Sequence, residues 1–419
     1  MIPPDSHGLA VDSEGSIGRA EMPLPRVLRW FWISSVVAFV AAFLISYLEF
    51  HAGMDLYRWL PFESPFFDLL VNVPTFRLLH TGTFFKLARV AYPPFGAVQL
   101  GLLYSTGHPV LVFLMLCTAA LGLGVWGVRS ALLANGIGRR VAAIFPLTLA
   151  LVSFPIERLV SQGNIEIFVW IFTAAGVWAY LRDRDDVAAI FWGLAAASKL
   201  YPIVLLMLLL PRRKYRALTI GILVFVSVTV LSMAFLGPDL AAAWRGSLRN
   251  VFGYQRLQAS EFSLHELHAN HSWFLLAKFA AAVSGSPSLR LVKPYYVLGG
   301  LLFAAVFFWR LRKMPVANQL LGVSIFMVAL PTISYFHTLV NLYAPLLVLF
   351  FVAIRAQRTG VRIPGLSTAI LLFVPLFAPF QLFTFTTVFL FCGMVQAILL
   401  GALFLYAVQY PFGEPAVRG

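Results

Sequence analysis

Residues 187–216 read VAAIFWGLAAASKLYPIVLLMLLLPRRKYR, an apolar run with one lysine near its middle and a basic cluster at its end. Two arginines, Arg182 and Arg184, come just before this run. A cation in the middle of a membrane helix costs about 2.5 to 3.5 kcal/mol even on a lenient scale, so Lys199 requires an anion or a wet cavity. Because Pro202 interrupts a straight helix, the pattern predicts two half-length helices that meet at residues 198–202. Their outer ends then lie on the same side of a membrane.

The rest of the chain has the composition of a membrane protein. Of its 419 residues, 60% are hydrophobic and 11% are charged, whereas soluble domains have about 45 to 50% and about 25%. Residues 27–50, 109–135 and 215–237 each approach or exceed the roughly 20 residues that a helix needs to cross a bilayer. The sequence therefore predicts an all-α polytopic membrane protein with about 12 transmembrane helices.

The net charge of +14 is explained by topology and not by nucleic acid binding, because the basic residues form short clusters between apolar spans. On this interpretation every cluster is cytoplasmic, and so are both termini. We expect a disordered cytoplasmic tail at 1–26, one multi-spanning domain at 27–408 and a second cytoplasmic tail at 409–419. The clusters are Arg26 and Arg29; Arg139 and Arg140; Arg182 and Arg184; Arg212, Arg213, Lys214 and Arg216; Arg310, Arg312 and Lys313; and Arg355, Arg358 and Arg362.

The same topology places two long connections, 51–108 and 238–293, on the non-cytoplasmic side, where function is expected. Residues 65–85 are aromatic and interrupted by proline, which indicates short helices lying in the membrane interface. Residues 93–104 are too few to cross the bilayer, so this piece is predicted to be re-entrant or interfacial.

Asp68 is the first candidate for chemistry. It lies at the membrane boundary beside aromatic residues, where desolvation raises the basicity of a carboxylate and suits it to act as a general base. The alternative is a helix cap or an interface charge. Asp55 and Glu63 are nearby rivals, and Arg77 and His80 follow closely.

Five further residues carry both a functional and a structural interpretation. Lys199 pairs with a phosphate or a buried carboxylate, or else it snorkels or bonds to backbone carbonyls at the helix break. His337 holds a phosphate, or it is an ordinary residue at a helix end. Asn164 and Glu166 bind hydroxyl groups, or Asn164 caps a helix. Asn270, which precedes His271 and Ser272, offers a similar choice.

The motifs of soluble enzymes are absent from the sequence, which has no glycine-rich phosphate loop, no HxxxH metal site and no nucleophile elbow. His265 and His268 are close to each other but have no further ligands around them, so no metal site is predicted. No cofactor is predicted either.

Several of these stretches resemble glycosyltransferase family 87, which includes polyprenol-phosphate-mannose-dependent mannosyltransferases of the C-superfamily fold. The segments QGNIEIFVW and FWGLAAASKLYPIVLLMLLLPRRKYRA are similar to the family's Gly-Leu-Ala-x-x-x-Lys-x-x-Pro helix pair. FFDLLVNVPTFRLLHTG, the YPPF turn at 92–95 and ISYFHTLVNLYAPLL agree in order and spacing. The chain departs from the family at 270–272, where the family often has Asn-Gln-Ser, and at 162–164, where it often has Gly-Gln-x-Asn.

The resemblance implies an inverting transferase with a polyprenyl-phosphate-sugar donor, a glycolipid or polysaccharide acceptor and no metal. It assigns the role of catalytic base to Asp68. Lys199, His337 and Arg77 become candidates for binding the donor phosphate, and the moving sugar is a hexose, such as mannose, or a pentose. Acceptor or sugar binding then falls to Tyr92, Asn164, Glu166 and Asn270. The expected location is the plasma membrane, with the active site on the non-cytoplasmic side.

The competing interpretation is a transporter or flippase, in which a broken helix and an intramembrane lysine are also natural. The large interfacial outer loops favour an enzyme, and so does the lack of an evident internal repeat.

Overall fold

The computed structural model describes residues 21–51, 65–71, 76, 79, 84, 92–237, 239–260, 262, 264–379 and 391–413. Most of these residues are helical, and none of them belongs to a β-strand. The prediction of an all-α polytopic membrane protein is therefore confirmed.

The α-helices of the described residues are α1 Arg26–His51, α2 Phe67–Leu70, α3 Pro94–Ser105, α4 Pro109–Ala134, α5 Arg139–Leu151, α6 Phe154–Gln162, α7 Glu166–Tyr180, α8 Asp185–Ser198, α9 Tyr215–Leu236, α10 Leu240–Ser260, α11 Leu264–Ala269, α12 Trp273–Val283, α13 Val292–Trp309, α14 Val316–Ala329, α15 Tyr343–Thr359, α16 Leu366–Leu371, α17 Phe373–Phe377 and α18 Cys392–Gln409. Segments of 3₁₀ helix lie at Tyr201–Leu209, Ser288–Leu291, Leu311–Lys313 and Phe336–Leu342.

Within the described residues, six helical segments are long and apolar enough to cross a membrane. The number becomes seven if α5 and α6, which bend by 54° at their junction, form one span. The predicted total of about 12 stays a prediction. The six are Arg26–Ile45, Pro109–Ala134, Tyr215–Leu236, Ser288–Lys313, Phe336–Thr359 and Cys392–Gln409.

The lysine-containing run forms the predicted hairpin. Helix α8 ends at Ser198, and the chain returns as the 3₁₀ helix Tyr201–Leu209. Fourteen residues of α-helix and nine of 3₁₀ helix both cover about 20 Å, so the two limbs match in length. At the base of the hairpin, Arg212 after the second limb bonds to Asp185 at the start of the first, with 3.1 Å between Nη1 and Oδ1. The two outer ends of the hairpin therefore lie next to each other, and their common side of the membrane stays a prediction.

Small residues let the neighbouring helices approach the hairpin closely. A Cβ at Gly193 on α8 would lie 2.6 Å from the carbonyl oxygen of Gly221 on α9, and one at Gly176 on α7 would lie 2.3 Å from the indole nitrogen of Trp192. Close backbone approach of this kind holds helices together in lipid, where the hydrophobic effect between helices is weak. The hairpin is therefore fixed between α7 and α9.

Helix α3 has only 12 residues, which confirms that this piece is too short to cross. Its buried residues pack inside the protein, and a Cβ at Gly96 would lie 2.6 Å from the carbonyl oxygen of Ser198. The start of α3 therefore lies against the tip of the hairpin. Of the predicted interfacial helices at 65–85, the structure describes α2, and the greater part of that segment lies outside the described residues.

The predicted tails are described only in part. Residues 1–20 and 414–419 lie outside the described residues. Met22 pairs with the turn after α4 through a main-chain bond of 2.9 Å to Gly136, and Phe412 bonds to the Asn318 side chain at 2.7 Å. The predicted domain boundaries stay predictions.

Candidate active site

Asp68 is carried by the four-residue helix α2, which docks on the end of α6. Phe66, the residue before this helix, has the left-handed conformation with φ of 59°, and its N–H donates to the carbonyl of Ser161 at 2.8 Å. Leu69 is fully buried against the turn that follows α6. These contacts fix the position of the half-buried Asp68 relative to that turn.

Gly163 makes this docking possible. It ends α6 with φ of 66°, and a Cβ there would lie 2.8 Å from Cβ of Leu69 and 3.2 Å from Cα of Phe66. The left-handed conformation is costly for residues with a Cβ, and the close approach excludes one. Only glycine satisfies both conditions at this position.

Asn164, the next residue, bonds directly to the candidate base. Its Nδ2 donates to Oδ2 of Asp68 at 2.6 Å. Its Oδ1 accepts from Nζ of Lys199 at 3.0 Å and from the N–H of Glu166 at 2.9 Å. The buried Asn164 amide thus joins Asp68 to the tip of the hairpin and also bonds to the first main-chain N–H of α7.

Lys199 at the hairpin tip pairs with Glu166, with 2.7 Å between Nζ and Oε2. Glu166 is fully buried, and its other oxygen accepts from the hydroxyl of Tyr201 and the amide of Asn341. The ring of Tyr92 lies beside the ammonium group, 5.5 Å from Nζ to the ring centroid. A buried ion pair is stable only when its remaining polar atoms are also bonded, and this one has those bonds.

His337 lies in the 3₁₀ segment that begins the span Phe336–Thr359, at a helix end as predicted. It is buried, and its Nδ1 lies 2.9 Å from Oε1 of Gln162. Gln162 and the buried Arg158 are four residues apart on α6, so they share one face of that helix. The charge of Arg158 acts on both Asp68 and His337.

The surroundings of Asp68 have opposing effects on its ionisation. Burial raises the pKa of the Asp68 carboxyl above its ordinary value. The hydrogen bond from Asn164 and the positive charges of Lys199 and Arg158 oppose this rise. Burial also raises the pKa of Tyr92 well above its ordinary value, so its hydroxyl stays protonated. A desolvated carboxylate with a raised pKa, whose ionised form still accepts a hydrogen bond, is suited to accept a proton.

The structure brings together most of the predicted site residues, since Asp68, Tyr92, Asn164, Glu166 and Lys199 form one set of contacts. His337 contacts Gln162, the last residue of α6, which lies two residues before Asn164 in the chain. Arg77 lies outside the described residues.

Asn270 is fully buried in a different set of hydrogen bonds. Its side chain bonds to the carbonyl of Thr332 and to the N–H groups of Ser272 and Ser334. These bonds join the loop before α12 to the loop before the His337 segment. Its predicted role in acceptor binding stays a prediction.

Four residues of this region were not among the predicted site residues: Arg158, Gln162, Tyr201 and Asn341. A signal existed for two pairs, because Arg158 and Gln162 are one helical turn apart, as are His337 and Asn341. No group of three or more His, Cys, Asp or Glu side chains that could hold a metal ion occurs within the described residues.

Comparison with known proteins identifies the family of the chain. The model of glycosyltransferase family 87 matches residues 91–334, more than half of the chain, and includes the whole hairpin. Asp68 and His337 lie outside the matched segment. No curated protein and no solved structure matches the chain. The matched segment confirms the resemblance found in the sequence, and the chain belongs to glycosyltransferase family 87.

Proposed function

We propose that this membrane glycosyltransferase moves a hexose, such as mannose, or a pentose from a polyprenyl-phosphate donor to a glycolipid or polysaccharide acceptor. The observation that carries the proposal is the bond of 2.6 Å from Asn164 to Asp68, at the tip of a hairpin whose lysine bonds to the same amide. It gives the enzyme a positioned carboxylate that can accept the proton of an incoming hydroxyl group.

In the proposed reaction, an acceptor hydroxyl gives its proton to the Asp68 carboxylate as its oxygen attacks the anomeric carbon of the sugar. The bond from that carbon to the phosphate oxygen breaks, and polyprenyl phosphate leaves with the electron pair. Attack opposite to the leaving group inverts the anomeric configuration. No metal ion or cofactor takes part in this proposal.

The leaving phosphate gains negative charge as the bond breaks, and hydrogen-bond donors placed beside it lower the barrier. We assign this role to the Nε2–H of His337; this tautomer requires the Gln162 amide, which lies 2.9 Å from Nδ1, to be turned so that its NH₂ group donates to Nδ1. Arg158, on the same face of α6 as Gln162, adds positive charge to this side of the site. Arg77 is a further candidate from the sequence.

Replacing His337 by Ala is expected to raise the KM for the donor about tenfold, because a hydrogen bond to a charged phosphate is lost. The KM for the acceptor should change little. Initial rates measured over a range of donor concentrations would test this, with Gln409→Ala at the far end of α18 as a control. An unchanged donor KM in the His337 variant would count against a phosphate role.

The hairpin also supports a proposal for the side of the membrane. Its tip carries Lys199, while its base carries the bonds from Arg212 to Asp183 and Asp185. Since basic clusters favour the cytoplasmic side, the base is cytoplasmic and the tip opens toward the opposite face. We therefore propose a plasma-membrane enzyme with cytoplasmic termini and a non-cytoplasmic active site.

Proteoliposomes that contain the purified chain test this function directly. With a polyprenyl-phosphate donor carrying radiolabelled mannose or a labelled pentose and a lipid extract as acceptor, label should appear on a new glycolipid or polysaccharide. A nucleotide-sugar donor should give no product. Movement of the labelled substrate across the bilayer without covalent change would instead identify a transporter or flippase and overturn the proposal.

A further inference from the structure

The side chain of Asn164 has only one possible orientation. An ammonium group and a main-chain N–H are donors without any acceptor capacity. Because Lys199 and the N–H of Glu166 both lie within 3.0 Å of one atom of the amide, that atom is the oxygen. The NH₂ group therefore faces Asp68 and donates to Oδ2. One oxygen of the carboxylate is held in this way, and its acceptor capacity is partly used.

Lys199 is enclosed by groups of the protein itself. Its ammonium donates to Asn164 and to Glu166, and the face of the Tyr92 ring lies beside it. Only 13% of its side chain is exposed. The carboxylate of Glu166 balances its charge, and Tyr201 and Asn341 hold that carboxylate in place. These bonds would have to break before Lys199 could turn toward a phosphate.

We infer that Lys199 and Asn164 are positioning residues that hold Asp68 ionised and in place, and that Lys199 is not a ligand of the donor phosphate. The inference rests on the proposed role of Asp68 as the base. Lys199 polarises the Asn164 amide by bonding to its oxygen, which strengthens donation from the NH₂ group to the carboxylate. Glu166 completes the chain by fixing the position of the ammonium group.

This arrangement predicts a pH effect with a definite sign. A general base works only when it is ionised, so kcat rises with pH through the pKa of Asp68. The positive charge of Lys199 and the Asn164 bond both lower this pKa against the effect of burial. Removing them must move the acid limb of the kcat profile to higher pH.

The test variant is Lys199→Met with Glu166→Gln, which removes both members of the ion pair and leaves no buried charge unpaired. We expect the acid limb of the profile of kcat against pH to move up by about one pH unit. At a fixed pH on the acid side of this limb, kcat should therefore fall about tenfold. The donor KM should stay within about twofold. A donor KM that rises while the acid limb stays in place would make Lys199 a phosphate ligand and overturn the inference.

Two further variants keep the result interpretable. Asn164→Ala removes the bridge but leaves the ion pair intact, and it should also move the acid limb upward. Glu166→Gln alone keeps the bond from Lys199 to Asn164, so its acid limb should not move upward. If the limb stays at the wild-type pH in Asn164→Ala, the inference fails even where the double variant does not fold.

Lys278→Met serves as a matched control. Lys278 is also a lysine inside the protein, more deeply buried than Lys199, and its Nζ donates to the main-chain carbonyl of Gln258 at 2.7 Å. Loss of this buried lysine should leave the acid limb in place.

Failure of this inference is distinguishable from failure of the proposed function. If Asp68→Asn is inactive while Asn164→Ala keeps the wild-type acid limb, only the positioning role is wrong. If Asp68→Asn is fully active, the proposed base is wrong and the positioning role falls with it.

Discussion

Replacing Asp68 by Asn is expected to slow transfer by roughly a hundredfold to ten-thousandfold, the usual contribution of a general base. The change is nearly isosteric, and the bond from Asn164 to the side chain oxygen is retained. The docking of α2 on α6 depends on Phe66 and Leu69, so the fold should remain intact. Rates of sugar transfer in proteoliposomes and thermal unfolding of the purified protein together test the prediction.

The matched control is Asp186→Asn, the same chemical change at the base of the hairpin. Asp186 is 45% exposed and pairs with Arg216 at 3.4 Å, so its loss should leave the transfer rate unchanged. In the wild type, kcat should rise with pH along a limb that lies above the ordinary carboxyl value of 3.8, because burial raises the pKa of Asp68. Full activity in Asp68→Asn would remove this residue from the mechanism.

Replacing Gly163 by Ala is expected to lower kcat about a hundredfold, the effect of moving a catalytic group by about 1 Å. The new methyl group would meet Leu69 at 2.8 Å, so α2 must shift and carry Asp68 away from Asn164. The left-handed conformation at Gly163 adds a stability loss of about 1 kcal/mol. Transfer rates and thermal unfolding measure the two effects separately.

The variant Gly360→Ala separates the effect of the left-handed conformation from the effect of the contact between residue 163 and Leu69. Gly360 also ends a helix in the left-handed conformation, with φ of 68°, but no atom lies within 4 Å of its would-be Cβ. Both variants should lose the stability that the left-handed conformation costs, Gly163→Ala should lose more because its methyl group also meets Leu69, and only Gly163→Ala should lose activity. Equal activity in both would show that the docking of α2 does not position the base.

The sequence predicted the helices that have a strong local signal. The runs at 27–50, 109–135 and 215–237 correspond to α1, α4 and α9 within one residue at each end. The hairpin was also predictable, because one lysine in an apolar run and basic residues at both ends exclude a straight crossing. The full number of crossings stays a prediction, since short apolar helices such as α12 and α14 lack the length that identifies a span.

Local sequence patterns could not predict the hydrogen bonds of the site. Asn164 bonds to Asp68 across 96 residues, and Asn341 bonds to Glu166 across 175 residues. Nothing in the spacing of these residues indicates that they meet. The sequence supplied the residue types, and their arrangement depends on how α6, α7 and the hairpin pack together.

The family match leaves the role of Asp68 to be established by experiment. The matched segment begins at residue 91, after α2, and ends before His337. The roles of both residues therefore rest mainly on their contacts with α6 and with the hairpin tip. Tyr92, Asn164, Glu166 and Lys199 lie inside the matched segment and link Asp68 to it.

The return limb of the hairpin sets how deep its lysine reaches. The nine residues of Tyr201–Leu209 span about 18 Å only because they are wound as a 3₁₀ helix. Wound as an α-helix, the same nine would shorten by about 4 Å and withdraw the ammonium group from its acceptors. A chain that reaches the same depth with an α-helical return would need about 12 residues, so a change in limb length and a change in winding must occur together.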